Sequence, residues 1–147
     1  MPTYIAMLGP VIGLNLWTFG MEAWMYALRL PAIGNSGLKF TPESTKEDLK
    51  KLPPRVQWPA DNYNHLFEQP TQFYAVALTL ALLGRDTGVS DLDVKLAWTY
   101  VGVRMVHSVV QSVANPIPIR FSLFALSGAV LAGLTARTAL TVFDIAF

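Results

Sequence analysis

Tyr100, Arg104, His107 and Gln111 follow one another at steps of four, three and four. A helix places residues so spaced on a single face. A guanidinium holds anions, an imidazole moves protons, and a phenol and a carboxamide orient polar ligands. Arg120 follows His107 by thirteen residues. Upstream, Asn64, Glu68 and Gln72 repeat a step of four, with His65 beside them, and Asn15 and Glu22 stand seven apart. All of these residues lie in segments that are otherwise apolar. A charge near a bilayer centre costs about 2.5–3.5 kcal/mol on insertion scales, so several are tolerable only where polar stripes face each other or a wet cavity. Glu68 and Glu22 are the natural counter-ions for Arg104 and for Arg29 or Arg120. Polar pairs also simply hold membrane helices together, at about 0.6 kcal/mol on average in one bundle. The set here is larger than a pair, and a ligand pocket is the preferred reading.

The elements that must carry these residues are membrane helices. The chain has 147 residues, enough for one domain, and 52% are hydrophobic. Only 14% are charged, against about 25% in an average globular chain. Four segments come close to the roughly 20 apolar residues that a span needs. They are 4–28, 62–83, 94–114 and 119–143. They are too long for barrel strands and lack their alternation, so the expected fold is all-α, a four-transmembrane-helix up-down bundle. The extramembrane loop 30–61 is rich in glycine, proline and charge, and Ser44 or Thr45 caps a short turn there before Pro53 and Pro54. The loop 84–93 and the tight break NPIP (115–118) supply the other connections. The N-terminus lacks a basic region, so no cleaved signal peptide is expected.

Charge sets the orientation. Arg29, Lys39, Lys46, Lys50, Lys51, Arg55 and Arg120 fall on one side, and Arg85 and Lys95 on the other. The 30–61 loop is expected on the cytoplasmic or matrix side, with both termini across the membrane. Arg137 and Asp144 read as interface charges. Trp24, Trp58 and Trp98 fall near span ends, as an aromatic belt requires; Trp17 does not. Ala125, Gly128, Ala129, Ala132 and Gly133 form small-residue pairs that suit close helix packing, within or between subunits.

Several functions are excluded. A net charge of +1 gives no electrostatic case for nucleic acid. There is no cysteine, so thiol chemistry needs a bound thiol. His65 and His107 lack metal-ligand spacing, and no metal is expected. No Ser–His–Asp order or phosphate loop stands out, and a transporter lacks its internal repeat.

The stretches NYNHLFEQPTQFYA (62–75) and AWTYVGVRMVHSVVQSVANPIPIR (97–120) carry a resemblance. The sequence resembles the membrane-associated proteins in eicosanoid and glutathione metabolism, the MAPEG family, and looks closest to its bacterial-type branch. That resemblance implies a homotrimer of four-helix subunits, with glutathione as co-substrate in a pocket between neighbours that opens to the cytoplasmic face. Glu68 matches the family's helix-two glutamate, and Arg104 and His107 its Arg-x-x-His. Arg120 matches the arginine that stabilises the glutathione thiolate, and Arg29 more loosely a basic contact. Asn64, His65 and Gln111 complete the implied glutathione-binding set. The sequence departs from the family where Asn64 and His65 replace Arg-Asn, where Gln111 replaces a pocket tyrosine, and where Phe121 replaces a hydroxyl residue.

Two functions compete. One is a glutathione transferase or peroxidase acting on lipophilic electrophiles, with catalysis resting on Arg120. The other is a non-catalytic scaffold, or a subunit of a larger membrane complex, that keeps the fold. Arg104, Glu68 and Arg120 favour the first; the four departures favour the second. A lipid- or quinone-binding module would use the same cleft without thiol chemistry.

Overall fold

The computed structural model describes residues 3–37 and 41–143. Lys39 and Asp144, both among the charges read above, lie outside them. The described chain is all-helical, in the order α1 (Tyr4–Asn35), α2 (Lys46–Leu49), α3 (Pro54–His65), α4 (Gln69–Thr87), α5 (Asp91–Val113) and α6 (Ile117–Val142). α5 packs along α6, α1 lies against α3, α4 and α5, α3 rests on α5, and α4 touches α6. The core gathers Met7 and Leu14 of α1, Phe73 and Ala77 of α4, Tyr100 of α5 and Leu134 of α6, all fully buried.

α1 and α6 are long and apolar enough to cross a membrane. Their outward faces are apolar too: Ile5, Ile12, Leu16 and Phe19 are exposed along one side of α1. In water such a face would be an unpaid cost, whereas in a bilayer it matches the solvent.

The segment expected to be one helix over 62–83 is two. α3 ends at His65 and α4 begins at Gln69. Pro70 is the physical reason. It has no N–H for the carbonyl four residues back, and its ring collides with that carbonyl. The chain turns just ahead of it through short bonds, Phe67 N to Asn64 O at 3.0 Å and Glu68 N to His65 O at 3.3 Å. Glu68 thus caps α4 rather than riding mid-helix, and the Asn64–Glu68–Gln72 stripe is interrupted at its centre.

The stretch 30–61 is also more ordered than a loop. α1 continues to Asn35, and Pro53 and Pro54 open α3 instead of only stopping α2. Proline at a first helical position loses nothing, because that N–H has no intrahelical partner. Thr45 does cap α2, and its amide donates to Asp48 Oδ2 at 2.9 Å. The Lys51 ammonium and this amide hold the Asp48 carboxyl below its usual range. Gln57 Nε2 ties the turn to α3 by donating to the Lys50 carbonyl at 2.7 Å.

Two further contacts set helix positions. Arg137 pairs with Asp93, which is nearly buried, so it joins α6 to α5 rather than standing free at an interface. The Trp98 indole lies across Gly9 and Gly13, where an added Cβ would meet the ring at 3.2 Å. Gly13→Leu should therefore force α1 from α5 at about 1–3 kcal/mol, as overpacking does. Thermal melts in detergent should show a lowered midpoint. Gly20→Ala, where an added Cβ has no neighbour within 4 Å, should not lower the midpoint, because alanine is the better helix former.

Candidate functional site

The break between α3 and α4 closes on short turn bonds, and Arg104 adds a second bond to the last carbonyl of α3, which the Glu68 amide already meets at 3.3 Å. Its Nη2 donates to the His65 carbonyl at 3.1 Å. An arginine at a helix C-terminus satisfies orphan carbonyls and opposes the helix dipole. Arg104 is completely buried, the largest side chain in the molecule to be so. Its Nε and Nη1 find no protein partner. His107 is buried one turn on, with both ring nitrogens unpartnered.

His65 turns its ring outward from the same point. Its Nδ1 bonds the Glu68 carboxylate across the break. The ring lies 5.4 Å from the His107 ring and 5.3 Å from the Phe124 ring, centroid to centroid. Beyond it stands Arg120. The α5–α6 turn sets that arginine, with Asn115 in the left-handed region at φ 51°. Asn115 Oδ1 accepts from Arg120 Nη1 at 2.6 Å.

Three clefts meet these residues. A cleft of about 310 Å³ is lined by Asp61, His65, Glu68, Gln111 and Arg120. A second, of about 190 Å³, is lined by His65, His107, Ile117, Arg120, Phe121 and Phe124. A third, of about 300 Å³, holds Arg29, Lys46, Lys50 and Asn64, and meets the first at Asp61. Thus His65, Glu68, Gln111 and Arg120 come together, His107 joins through the second cleft, and Arg29 and Asn64 stand in the third.

The expected ion pairs are replaced. Among the described residues Arg104, Arg29 and Arg120 make no salt bridge with Glu68 or Glu22. Glu68 is taken by His65, Arg120 by a neutral carboxamide, and Arg29 approaches the Met25 sulfur at 4.0 Å. The physical cause is the break, which turns Glu68 outward and leaves it mostly exposed.

Sequence reasoning passed over several polar residues. Asn62 is fully buried, and among the described residues both its amide atoms lack a partner, as do the buried hydroxyls of Ser108 and Ser112. Ser108 and Ser112 follow Arg104 at steps of four, so spacing could have found them. Gln69 could not be found that way. Its Oε1 accepts from Ser127 Oγ at 3.1 Å and Tyr100 Oη at 3.4 Å, joining three helices. Gly128 makes room for it, since an added Cβ would meet Gln69 Nε2 at 3.2 Å. One of the small residues of α6 therefore serves a polar contact within the chain, while Ala125, Ala129, Ala132 and Gly133 remain exposed. Among the described residues no three His, Asp or Glu side chains come together as metal ligands.

An all-helical chain with lipid-matched outer faces and cations gathered around a broken helix defines a membrane protein with polar clefts in its bundle. The sequence model of the MAPEG family matches residues 7–140, and the chain belongs to that family. No curated protein and no solved structure matches it.

The Asn115 turn offers a direct test of how Arg120 is held. Asn115→Ala should cost about 1–2 kcal/mol, because a left-handed φ strains a Cβ that lacks a local polar bond. Asn115→Gly should keep the turn and the melting midpoint while freeing Arg120. Melts of both variants, run beside ligand titrations, separate the two effects.

Proposed function

We propose that the protein is a four-span, trimeric member of its family that binds glutathione and uses the thiolate against lipophilic electrophiles. The observation that carries this reading is the state of Arg120. Among the described residues its side-chain partner is the neutral Asn115 carboxamide and it makes no salt bridge, which supports a role for its charge toward an anion in the cleft. A nearby cation lowers a thiol pKa and raises the thiolate fraction. The other residues suit the tripeptide. Arg29, Lys46 and Lys50 suit its carboxylates, Asp61 and Glu68 its ammonium, and Gln111 its amides. Phe121 and Phe124 give the second cleft an aromatic wall for an apolar partner arriving from the bilayer.

α4 and α5 complete the four spans in this reading, with α5 carrying Asp93 and Arg104 inward. The exposed small residues of α6 suit subunit packing in a trimer. The cation-rich end, with Arg29, Lys46, Lys50, Lys51 and Arg55, faces the cytoplasm or matrix. Arg104 supports the site from behind through His65.

One observation favours a scaffold instead. The matched Arg104 and His107 are buried in the bundle, where they serve architecture whether or not a ligand binds. Calorimetry with glutathione on the purified protein, with ultraviolet difference spectra, separates the two. Saturable binding with a thiolate band at neutral pH is expected. Arg120→Ala should remove that band and lower conjugation by about 100-fold or more, as loss of an electrostatic stabiliser does, with trimer size unchanged. Absence of binding at millimolar glutathione would return the scaffold.

A further inference from the structure

We infer that His65 is the proton acceptor for the thiol, working as a dyad with Glu68 at the junction of the two clefts; this rests on the glutathione reading above. His65 and Arg120 are the two residues that line both the polar cleft of Asp61, Glu68 and Gln111 and the aromatic cleft of Phe121 and Phe124. A tripeptide in the first and an apolar electrophile in the second meet at that junction. The thiol therefore falls between an imidazole and a guanidinium.

The dyad fixes which nitrogen is free. Glu68 accepts at Nδ1, so the neutral ring carries its proton there and Nε2 keeps its lone pair. A carboxylate so placed also stabilises the imidazolium that forms, the same logic that operates in hydrolase triads. The titratable and charged groups around His65 are Glu68 bonded to its ring, His107 with its ring 5.4 Å away, Asp61 and Arg120 on the shared clefts, and Arg104 at its backbone carbonyl. Arg104 holds the His65 backbone, which fixes the base of the ring without touching its nitrogens.

In the step itself the S–H bond breaks, its proton passes to Nε2, and the electron pair stays on sulfur opposite Arg120. The thiolate then adds to the β-carbon of an electrophilic alkene conjugated to a carbonyl. A carbon–sulfur bond forms, the π electrons move to the carbonyl oxygen, and His65 returns the proton to the enolate. No oxidant or further reactant is needed. The departure that puts a histidine at position 65 is thereby a gain of a base.

The test counts protons. Glutathione binding to the full chain in detergent is measured at neutral pH in two buffers of different ionisation enthalpy, with S-methylglutathione subtracting protons unrelated to the thiol. The expected result is a thiolate band with no net proton released to buffer, because the imidazole keeps it. His65→Gln should then release a proton for each thiolate formed and slow conjugation by about 100-fold, the lower range for loss of an acid–base group. Glu68→Gln, which leaves the ring in place, should weaken proton retention in the same direction and provides the reading should His65→Gln not assemble. A thiolate band accompanied by full proton release in the parent protein would overturn the base while leaving Arg120 its role. Absence of any thiolate band in the parent would remove the glutathione reading and the base with it.

Discussion

The bond from Arg104 to the His65 carbonyl is the constraint on which the arrangement depends. Pro70 forces the helix to end before it, and the last carbonyls of α3 then accept from the amides of a tight turn, Glu68 N meeting His65 O at 3.3 Å. A guanidinium from the neighbouring helix adds a charged bond to that same carbonyl at 3.1 Å. The same contact locks α3 to α5 at the height where His65, His107 and Gln111 cluster. Removing the guanidinium would leave the space of a large buried side chain between α3 and α5, so the packing and the cleft residues share one point of support.

From that point the polar groups sort into an inner and an outer set. The inner set comprises Asn62, Arg104, His107, Ser108 and Ser112, buried along α3 and α5 with atoms that lack protein partners. Buried polar groups left unpaired cost about 1–3 kcal/mol each. Their concentration on one helix interface marks it as the polar heart of the bundle. The outer set, His65, Glu68, Gln111 and Arg120, reaches the clefts. Among the described residues no arginine–carboxylate pair forms there. Arg120 rests on a carboxamide, and Glu68 on the His65 imidazole.

Much of this was legible in the residues. Steps of four and three placed Tyr100, Arg104, His107 and Gln111 on one face, and the structure finds all four buried on α5. The apolar runs announced helices, and NPIP announced the α5–α6 turn. The pairing of charges was not legible. Glu68 belonged with Arg104 by charge, yet it bonds His65, because the direction of a side chain near a proline break follows the local turn and not the helical period. Gln69 was invisible for a related reason: its partners, Tyr100 and Ser127, are 31 and 58 residues away.

The sequence by itself determined that the chain is helical, that its helices suit a bilayer, and to which family it belongs, because those follow from apolar length, period and local spacing. Tertiary structure decided which cation faces which partner, where the helix breaks, and that His65 and Arg120 stand together between a polar and an aromatic cleft. Those depend on how α3, α5 and α6 are brought side by side. Distances between helices are written in packing, and no periodicity within one helix records them.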